Sequence, residues 1–428
     1  MRCALVVLAT LAACAGEVSA RDPEFGADLV LFSSLYDVRG DSPYNPDNLL
    51  AGIPRMEHGA QARLRWRMEG KYGVLAIGPR VTYSRATGTS AASGDKRDTK
   101  AYLQSWLVEG RLGNVDLFYS RELMLWGPSQ FASPSNPFFT ETNQVNPFTE
   151  LPSRDFAGAR WRIDDRNTVA LVRNVDEGRD RELLRPFKPE TALRADHVGD
   201  AFAVGAVASY RAGRKQYGAY GQWTVNDAVI VYFDAATFRG SRRLLALAPG
   251  AASNGTQDWQ LATRADDRKR HYDVLVGGSY TFEGGSTVNL EYRRNTEGYT
   301  AAERAALDAF AVAQAGRFRG SDPFSNPFAA GAAAGQLGAV VQPYARTFGR
   351  DTVYAQYVNR RIAPSTSLVA QVSYGLGSKD GSTTIVISHD LNDRIKLAAN
   401  LTVPFGSRHG DTRRYLDSVL FLGMTASF

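Results

Sequence analysis

Cysteine is nearly absent: Cys3 and Cys14 are the only two in 428 residues, and both lie in the first twenty. Once that segment is removed, the chain has no disulfide and no thiol chemistry, as suits a polypeptide that crosses an oxidising compartment unfolded. Outside the leader no apolar run approaches the roughly 20 residues that a membrane helix needs, which excludes helical spans. Histidine is also scarce. His58, His197, His271, His389 and His409 are far apart, with no HExxH and no Cys/His ligand spacing. Asp164-Asp165 and Asp266-Asp267 read as turn acids, so no catalytic residue, metal site or cofactor is expected, and no nucleic-acid partner.

What is present begins with MRCALVVLATLAACAGEVSA: one positive charge at Arg2, an apolar run from Ala4 to Ala13, and small residues before Arg21. This is the form of a secretory signal peptide, residues 1–20, with cleavage after Ala20. A lipoprotein signal is the alternative, because Leu11-Ala12-Ala13-Cys14 would make Cys14 the lipidated first residue. Residues 21–428 then form a single domain.

Nineteen tyrosines, twenty-one phenylalanines, six tryptophans and forty glycines accompany a mean hydropathy typical of a soluble protein. Strict alternation gives such an average, because apolar and polar faces cancel. The pattern is clearest at residues 60–69, where Ala60, Ala62, Leu64, Trp66 and Met68 face one way and Gln61, Arg63, Arg65, Arg67 and Glu69 the other. Near the C-terminus Leu416, Leu420, Leu422, Met424, Ala426 and Phe428 share a face. A terminal Phe resembles the signal by which the bacterial barrel-assembly machinery recognises its substrates.

Eighteen such segments are expected near 27–38, 59–69, 72–85, 99–109, 114–122, 155–163, 167–174, 190–198, 201–211, 215–224, 228–238, 270–282, 286–295, 348–359, 366–374, 382–389, 394–403 and 415–427. Every second connection is short and rich in Gly, Asn and Asp, as at 70–71, 110–113, 199–200 and 390–393. The others are mostly long, as at 39–58, 123–154, 175–189, 239–269 and 296–347. This asymmetry predicts an all-β fold, a closed antiparallel transmembrane β-barrel of about eighteen strands with short periplasmic turns and long extracellular loops. A plug domain has no room between Arg21 and the first strand. Within 296–347, Thr300 and Glu303 have capping-box spacing and predict a short helix, on the outer rim or folded into the lumen.

The polar strand faces place Arg63, Arg65, Arg67, Arg80, Arg160, Arg162, Arg194, Arg293 and Lys396 inward. Against them stand Glu69, Asp116, Glu122, Asp196, Asp273, Glu291 and Asp417. The totals are close, but six arginines cluster on the second, third and sixth strands. Arg63, Arg65, Arg67, Arg80, Arg160 and Arg162 therefore read either as a pore-lining anion track or as ordinary ion pairing across the lumen. Arginine outnumbers lysine forty-two to eight, which suits bidentate carboxylate or phosphate contacts.

Residues 119–148, YSRELMLWGPSQFASPSNPFFTETNQVNPF, leave the fifth strand and are too proline-rich to continue a ladder. Trp126, Asn136, Phe138, Asn146 and Phe148 form a candidate glycan-contact loop, or else a packed external loop. A further SNPF stands at Ser325 to Phe328. With the strand count and the arginine wall, the WGPS and SNPF passages resemble those of eighteen-stranded saccharide-handling barrels, the alginate-export and capsule-assembly lectin families. The lectin pattern has WGPG and SNN where this chain has WGPS and SNP. The resemblance implies export of an acidic polysaccharide, gated by loops 123–154 and 296–347.

Two functions remain open on sequence. One is a porin-like channel in the outer membrane for polar, anionic solutes, with polysaccharide export its specific form. The other is a closed barrel acting as a surface glycan-binding or structural protein. The expected partners are outer-membrane lipids and lipopolysaccharide, the assembly machinery through Phe428, and a polysaccharide.

Overall fold

The structure, a computed structural model, describes residues 22–88, 95–140, 151, 153–179, 187–241, 243–249, 258–263, 269–320, 327–341, 349–407 and 413–428. The first eleven strands are β1 (Glu24–Val38), β2 (Met56–Gly70), β3 (Gly73–Thr87), β4 (Lys96–Leu112), β5 (Val115–Glu122), β6 (Arg154–Arg162), β7 (Asn167–Asp176), β8 (Glu190–Val198), β9 (Phe202–Arg211), β10 (Arg214–Asn226) and β11 (Val229–Arg239). A separate small hairpin follows, β12 (Leu244–Leu247) and β13 (Gln260–Thr263). The wall resumes with β14 (Arg270–Thr281), β15 (Thr287–Asn295), β16 (Asp351–Ala363), β17 (Thr366–Gly375), β18 (Asp380–Asp390), β19 (Ile395–Gly406) and β20 (Leu416–Ser427). Wall strands pair antiparallel with their sequence neighbours, β11 pairs with β14, and β20 returns to β1, closing an eighteen-stranded barrel. All eighteen expected segments are wall strands, with ends displaced by a few residues.

Alternation decides which way each side chain points. On β1, Phe25, Leu29, Leu31 and Leu35 are exposed on the outer face, whereas Asp28, Val30 and Ser34 between them are buried inward. Leu64 on β2 is exposed outward and Gln61 is buried inward. Tyr72, Trp161, Phe202, Trp223 and Tyr280 ring the short-turn end, and Tyr83, Tyr210, Tyr217 and Tyr272 ring the long-loop end. Tyr272 and Tyr280 are eight residues apart on one strand, about 27 Å of extended chain, or roughly 20 Å of height at the usual tilt. An apolar band between two aromatic girdles is the exterior of a transmembrane barrel.

The seam is made by the chain ends. Ala27 and Phe428 exchange backbone hydrogen bonds of 3.2 and 2.8 Å, and Ser427 Oγ donates to Asp28 at 2.8 Å. Phe428 itself stands exposed on the outer face. The ladder between β3 and β4 is interrupted by a bulge between Gly78 and Pro79, where the proline nitrogen has no hydrogen to donate.

Two helices lie in the loop between β15 and β16, α1 (Ala301–Gly320) and α2 (Pro327–Val341). The expected capping box is formed: Thr300 N donates to Glu303 at 2.8 Å and Glu303 N to Thr300 Oγ1 at 3.2 Å. Leu307, Phe310 and Ala311 of α1 and Leu337 and Val340 of α2 share a buried cluster with Tyr44 and Tyr299. Leu50, Leu245, Trp259 and Tyr415 pack against it. The helices therefore cover their apolar faces with the other long loops. Sequence reading finds α1 but misses α2, whose Gly331, Gly335 and Gly338 weaken any helical signal.

Candidate functional site

The site is built around the chain that leaves β5. Sequence reading places 123–154 outside the barrel, but its stretch 123–140 folds into the lumen. Two carboxylates on distant strands hold it there. Asp234 on β11 accepts from Ser133 Oγ at 2.6 Å and from Ser135 N at 2.7 Å. Glu291 on β15 accepts from Gln130 N at 2.6 Å and from Tyr232 Oη at 2.8 Å. Phe131 stacks on Tyr354 of β16, with centroids 4.8 Å apart. The wall yields where the loop lands, since a side chain at Gly218 of β10 would meet Ser135. Starting at β5 and docking on β10, β11, β15 and β16, the loop crosses the lumen and narrows it.

This placement accounts for the candidate glycan-contact residues. Asn136 is fully buried: its Nδ2 donates to Met124 O at 2.9 Å, and its Oδ1 accepts from the Phe138 and Phe139 amides. Phe138 packs edge-on between Trp126 and Phe156. Both side chains are engaged in folding the loop, as in the second of the two readings, a packed loop, although the packing is inside the lumen and not external. At Asn136-Pro137-Phe138 the chain makes a tight turn in which the asparagine oxygen caps the following amides. Asn146 and Phe148 lie outside the described residues.

Below the loop, toward the short turns, the arginines line one wall. Arg65 of β2 grips Asp28 of β1 with both terminal guanidinium nitrogens. Arg67 reaches Glu69 at 3.1 Å, and Arg111 of β4 reaches the same carboxylate at 2.9 Å. Arg160 lies 4.0 Å from Glu109 and Arg162 2.9 Å from Asp116. Arg63 donates to Gln61, and Arg80, its register partner on β3, donates to the Leu64 carbonyl at 2.9 Å. The pairs are lopsided. The side chains of Arg65, Arg160 and Arg162 are 58%, 47% and 49% exposed, against 9%, 12% and 4% for Asp28, Glu109 and Asp116. The carboxylates are thus sealed against the wall while the guanidiniums face lumen water.

On the far wall, between the buried Arg293–Asp273 pair and Glu291 on one side and the Lys396–Asp390 pair on the other, uncharged side chains bond to one another. Asn289 donates to Gln356 at 3.0 Å, and the hydroxyls of Thr384 and Thr402, and of Ser373 and Ser382, bond across neighbouring strands at 3.0 and 2.9 Å. Between wall and loop lies a cavity of about 670 Å³, lined among others by Trp126, Arg160, Arg194, Asp196, Tyr220 and Gln222. The Arg194 guanidinium sits 5.2 Å from the Trp126 ring centre and 2.8 Å from Asp196. Tyr220 bonds to the same aspartate and lies over Gly205, where a β-carbon would leave it no room.

The structure thus brings Arg160, Arg194 and Trp126 to one cavity and spreads Arg63, Arg65, Arg67 and Arg80 along the adjoining β2–β3 wall. Arg111 is missing from the sequence reading because 110–113 reads as a turn, whereas β4 runs on to Leu112. Nothing local reveals Asp234 as an anchor, since its partners are about a hundred residues away.

Comparison with known proteins identifies the fold. No protein-family profile matches the chain, and no curated protein matches it. Solved structures do. OccAB1 of Acinetobacter baumannii superposes with a TM-score of 0.56 at 12% identity, over 95% of this chain and 97% of that one. OpdK of Pseudomonas aeruginosa, solved with vanillate, gives 0.54 at 10% identity over 95% and 98%. OccK7 of the same organism gives 0.52 at 12% over 95% and 99%. This chain has the closed eighteen-stranded antiparallel barrel fold of outer-membrane porins.

Proposed function

We propose that the protein is an outer-membrane channel that passes small anionic solutes, carboxylates foremost, down their gradient. The observation that carries this reading is the lopsided pairing of the arginine wall. Arg65, Arg160 and Arg162 each turn about half of the side chain to lumen water, while the carboxylate each one pairs with is withdrawn behind it. A carboxylate moving along Arg65, Arg160, Arg162 and Arg194 exchanges hydration for charge-assisted hydrogen bonds at successive stations. The uncharged Asn289, Gln356, Ser and Thr pairs opposite offer polar contacts without trapping the solute. The vanillate held in the OpdK structure is an aromatic carboxylate, a solute of the same kind.

Polysaccharide export, implied by the WGPS and SNPF passages, is the narrower alternative. The anchoring of 123–140 across the lumen favours short solutes over a polymer. Single-channel recording in planar bilayers under a salt gradient tests the proposal. Discrete openings are expected, with a reversal potential displaced toward that of the anion and a current reduced by added aromatic carboxylate. No openings would favour a closed glycan-binding barrel, and a cation-directed reversal potential would remove the anion track.

A further inference from the structure

A second cationic array lies on the opposite side of the wall from the lumen, and transport of solute makes no use of it. Lys215, Arg239 and Arg270 occupy outward-facing positions on β10, β11 and β14 at the long-loop end, and all three are exposed. Arg239 and Arg270 are register partners. Lys215 stands one step beyond the Gln216–Phe238 pair, beside Arg239. The three Cα positions thus form a row across adjacent strands about 4.8 Å apart. Ala212 and Gly213, both at positive φ, make the tight turn that keeps β9 and β10 from rising over the row. Among the described residues none of the three has a carboxylate partner. The comparable row on the far arc, His58, Arg85 and Arg97, is partly neutralised by Asp95, 2.7 Å from Arg85.

Depth identifies the ligand. Tyr217 and Tyr272 lie on the same strands two residues nearer the membrane centre, about 7 Å along the chain, and belong to the aromatic girdle. Cations just beyond an aromatic girdle stand at headgroup level. The anionic group there is phosphate, and paired guanidiniums suit it.

We infer that Lys215, Arg239 and Arg270 form a binding site for the phosphate-bearing headgroup of an outer-leaflet glycolipid. Such a lipid lies alongside β10, β11 and β14 with its acyl chains on Phe233 and Val274 of the apolar band.

Native mass spectrometry of the delipidated full-length barrel tests this independently of conductance. The probes are a bisphosphorylated glycolipid, the same glycolipid without phosphate, and inorganic phosphate. The wild type should retain the bisphosphorylated lipid. The K215Q/R239Q/R270Q variant should bind it roughly a hundredfold more weakly, at about a factor of five per cation. R239K/R270K should keep most of the binding, and R360Q/R361Q, at the short-turn end, should change nothing. Equal binding by the triple variant, or equal retention of the phosphate-free lipid, overturns the site. Displacement of the lipid by millimolar inorganic phosphate reassigns it to a soluble anion. Should the triple variant fail to form a heat-modifiable barrel, R239Q alone decides, with about a fivefold loss expected.

Discussion

Asp234 fills the space that a side chain on Gly127 would need, and Gly127 holds a φ of +81° that disfavours any other residue. The absence of a side chain at Gly127 therefore lets the loop lie against the carboxylate that Ser133 and Ser135 bond. Gly127→Ala should combine roughly 1–3 kcal/mol of backbone strain with a clash against the carboxylate that holds Ser133 and Ser135. The loop is expected to leave Asp234, giving larger and noisier single-channel conductance in a barrel that still shifts on heating. Unchanged conductance would mean that 123–140 does not set the width of the path.

The arginine wall makes a prediction about selectivity. Replacing Arg65 and Arg162 together with Gln removes two exposed cations and leaves the charges of Asp28 and Asp116 no longer balanced by them, so each site shifts by one unit toward negative. Unit charges about 4 Å apart interact by roughly 4 kcal/mol at an effective dielectric of 20. The anion-to-cation permeability ratio should fall, more at low salt than at high. Adding Asp28→Asn and Asp116→Asn should restore part of it. A ratio indifferent to all four changes would leave these residues a structural role only.

The two faces of β2 should respond differently to charge. Leu64→Arg puts a cation into hydrocarbon near the midplane at a cost of roughly 2–4 kcal/mol. Gln61→Glu places a carboxylate beside Arg63, to which Gln61 Oε1 is already bonded, and should be close to neutral. Urea unfolding from liposomes measures both, and equal damage would reverse the face assignment.

In the turn after β6, the Asp164 carboxyl is held below the usual carboxylate range by the Asn167 side chain and the Arg166 amide. A lowered folded value means the turn contact is fully present above the ordinary aspartate range and is lost as pH falls through the lowered one. The Arg166 and Asn167 amides, which donate to Asp164 at 2.8 and 2.7 Å, should stay protected from exchange down to that point. Asp164→Asn should abolish the pH response, and a response surviving that change would point to another group.

The wall was legible because its signal is local. A strand with lipid on one side and water on the other must alternate, and Ala60 to Glu69 state that rule within ten residues. The inward turn of Arg63, Arg65 and Arg67 was legible for the same reason, since parity alone sets it. What escaped depends on distant partners. The inward fold of 123–140 rests on Asp234, Glu291 and Tyr354, none of which marks itself as an anchor. The β12–β13 hairpin is only four residues to a strand, too brief for periodicity to show. Asn136 stayed ambiguous because a polar side chain that caps its own turn looks, in sequence, like one free to meet a sugar.

The seam between β1 and β20 has a kinetic consequence. Ser427 and Asp28 are 399 positions apart, so the β1–β20 pairing spans nearly the whole chain, while every other wall pairing joins strands that follow one another around the wall. Closure entropy defers such a contact until the intervening hairpins have formed. Up to that moment the sheet has two open edges whose amides and carbonyls hydrocarbon cannot satisfy. The last event of assembly is then a single docking step, in which Ala27 and Phe428 exchange hydrogen bonds. Damage to Asp28 should therefore slow the final closure far more than the formation of the hairpins before it.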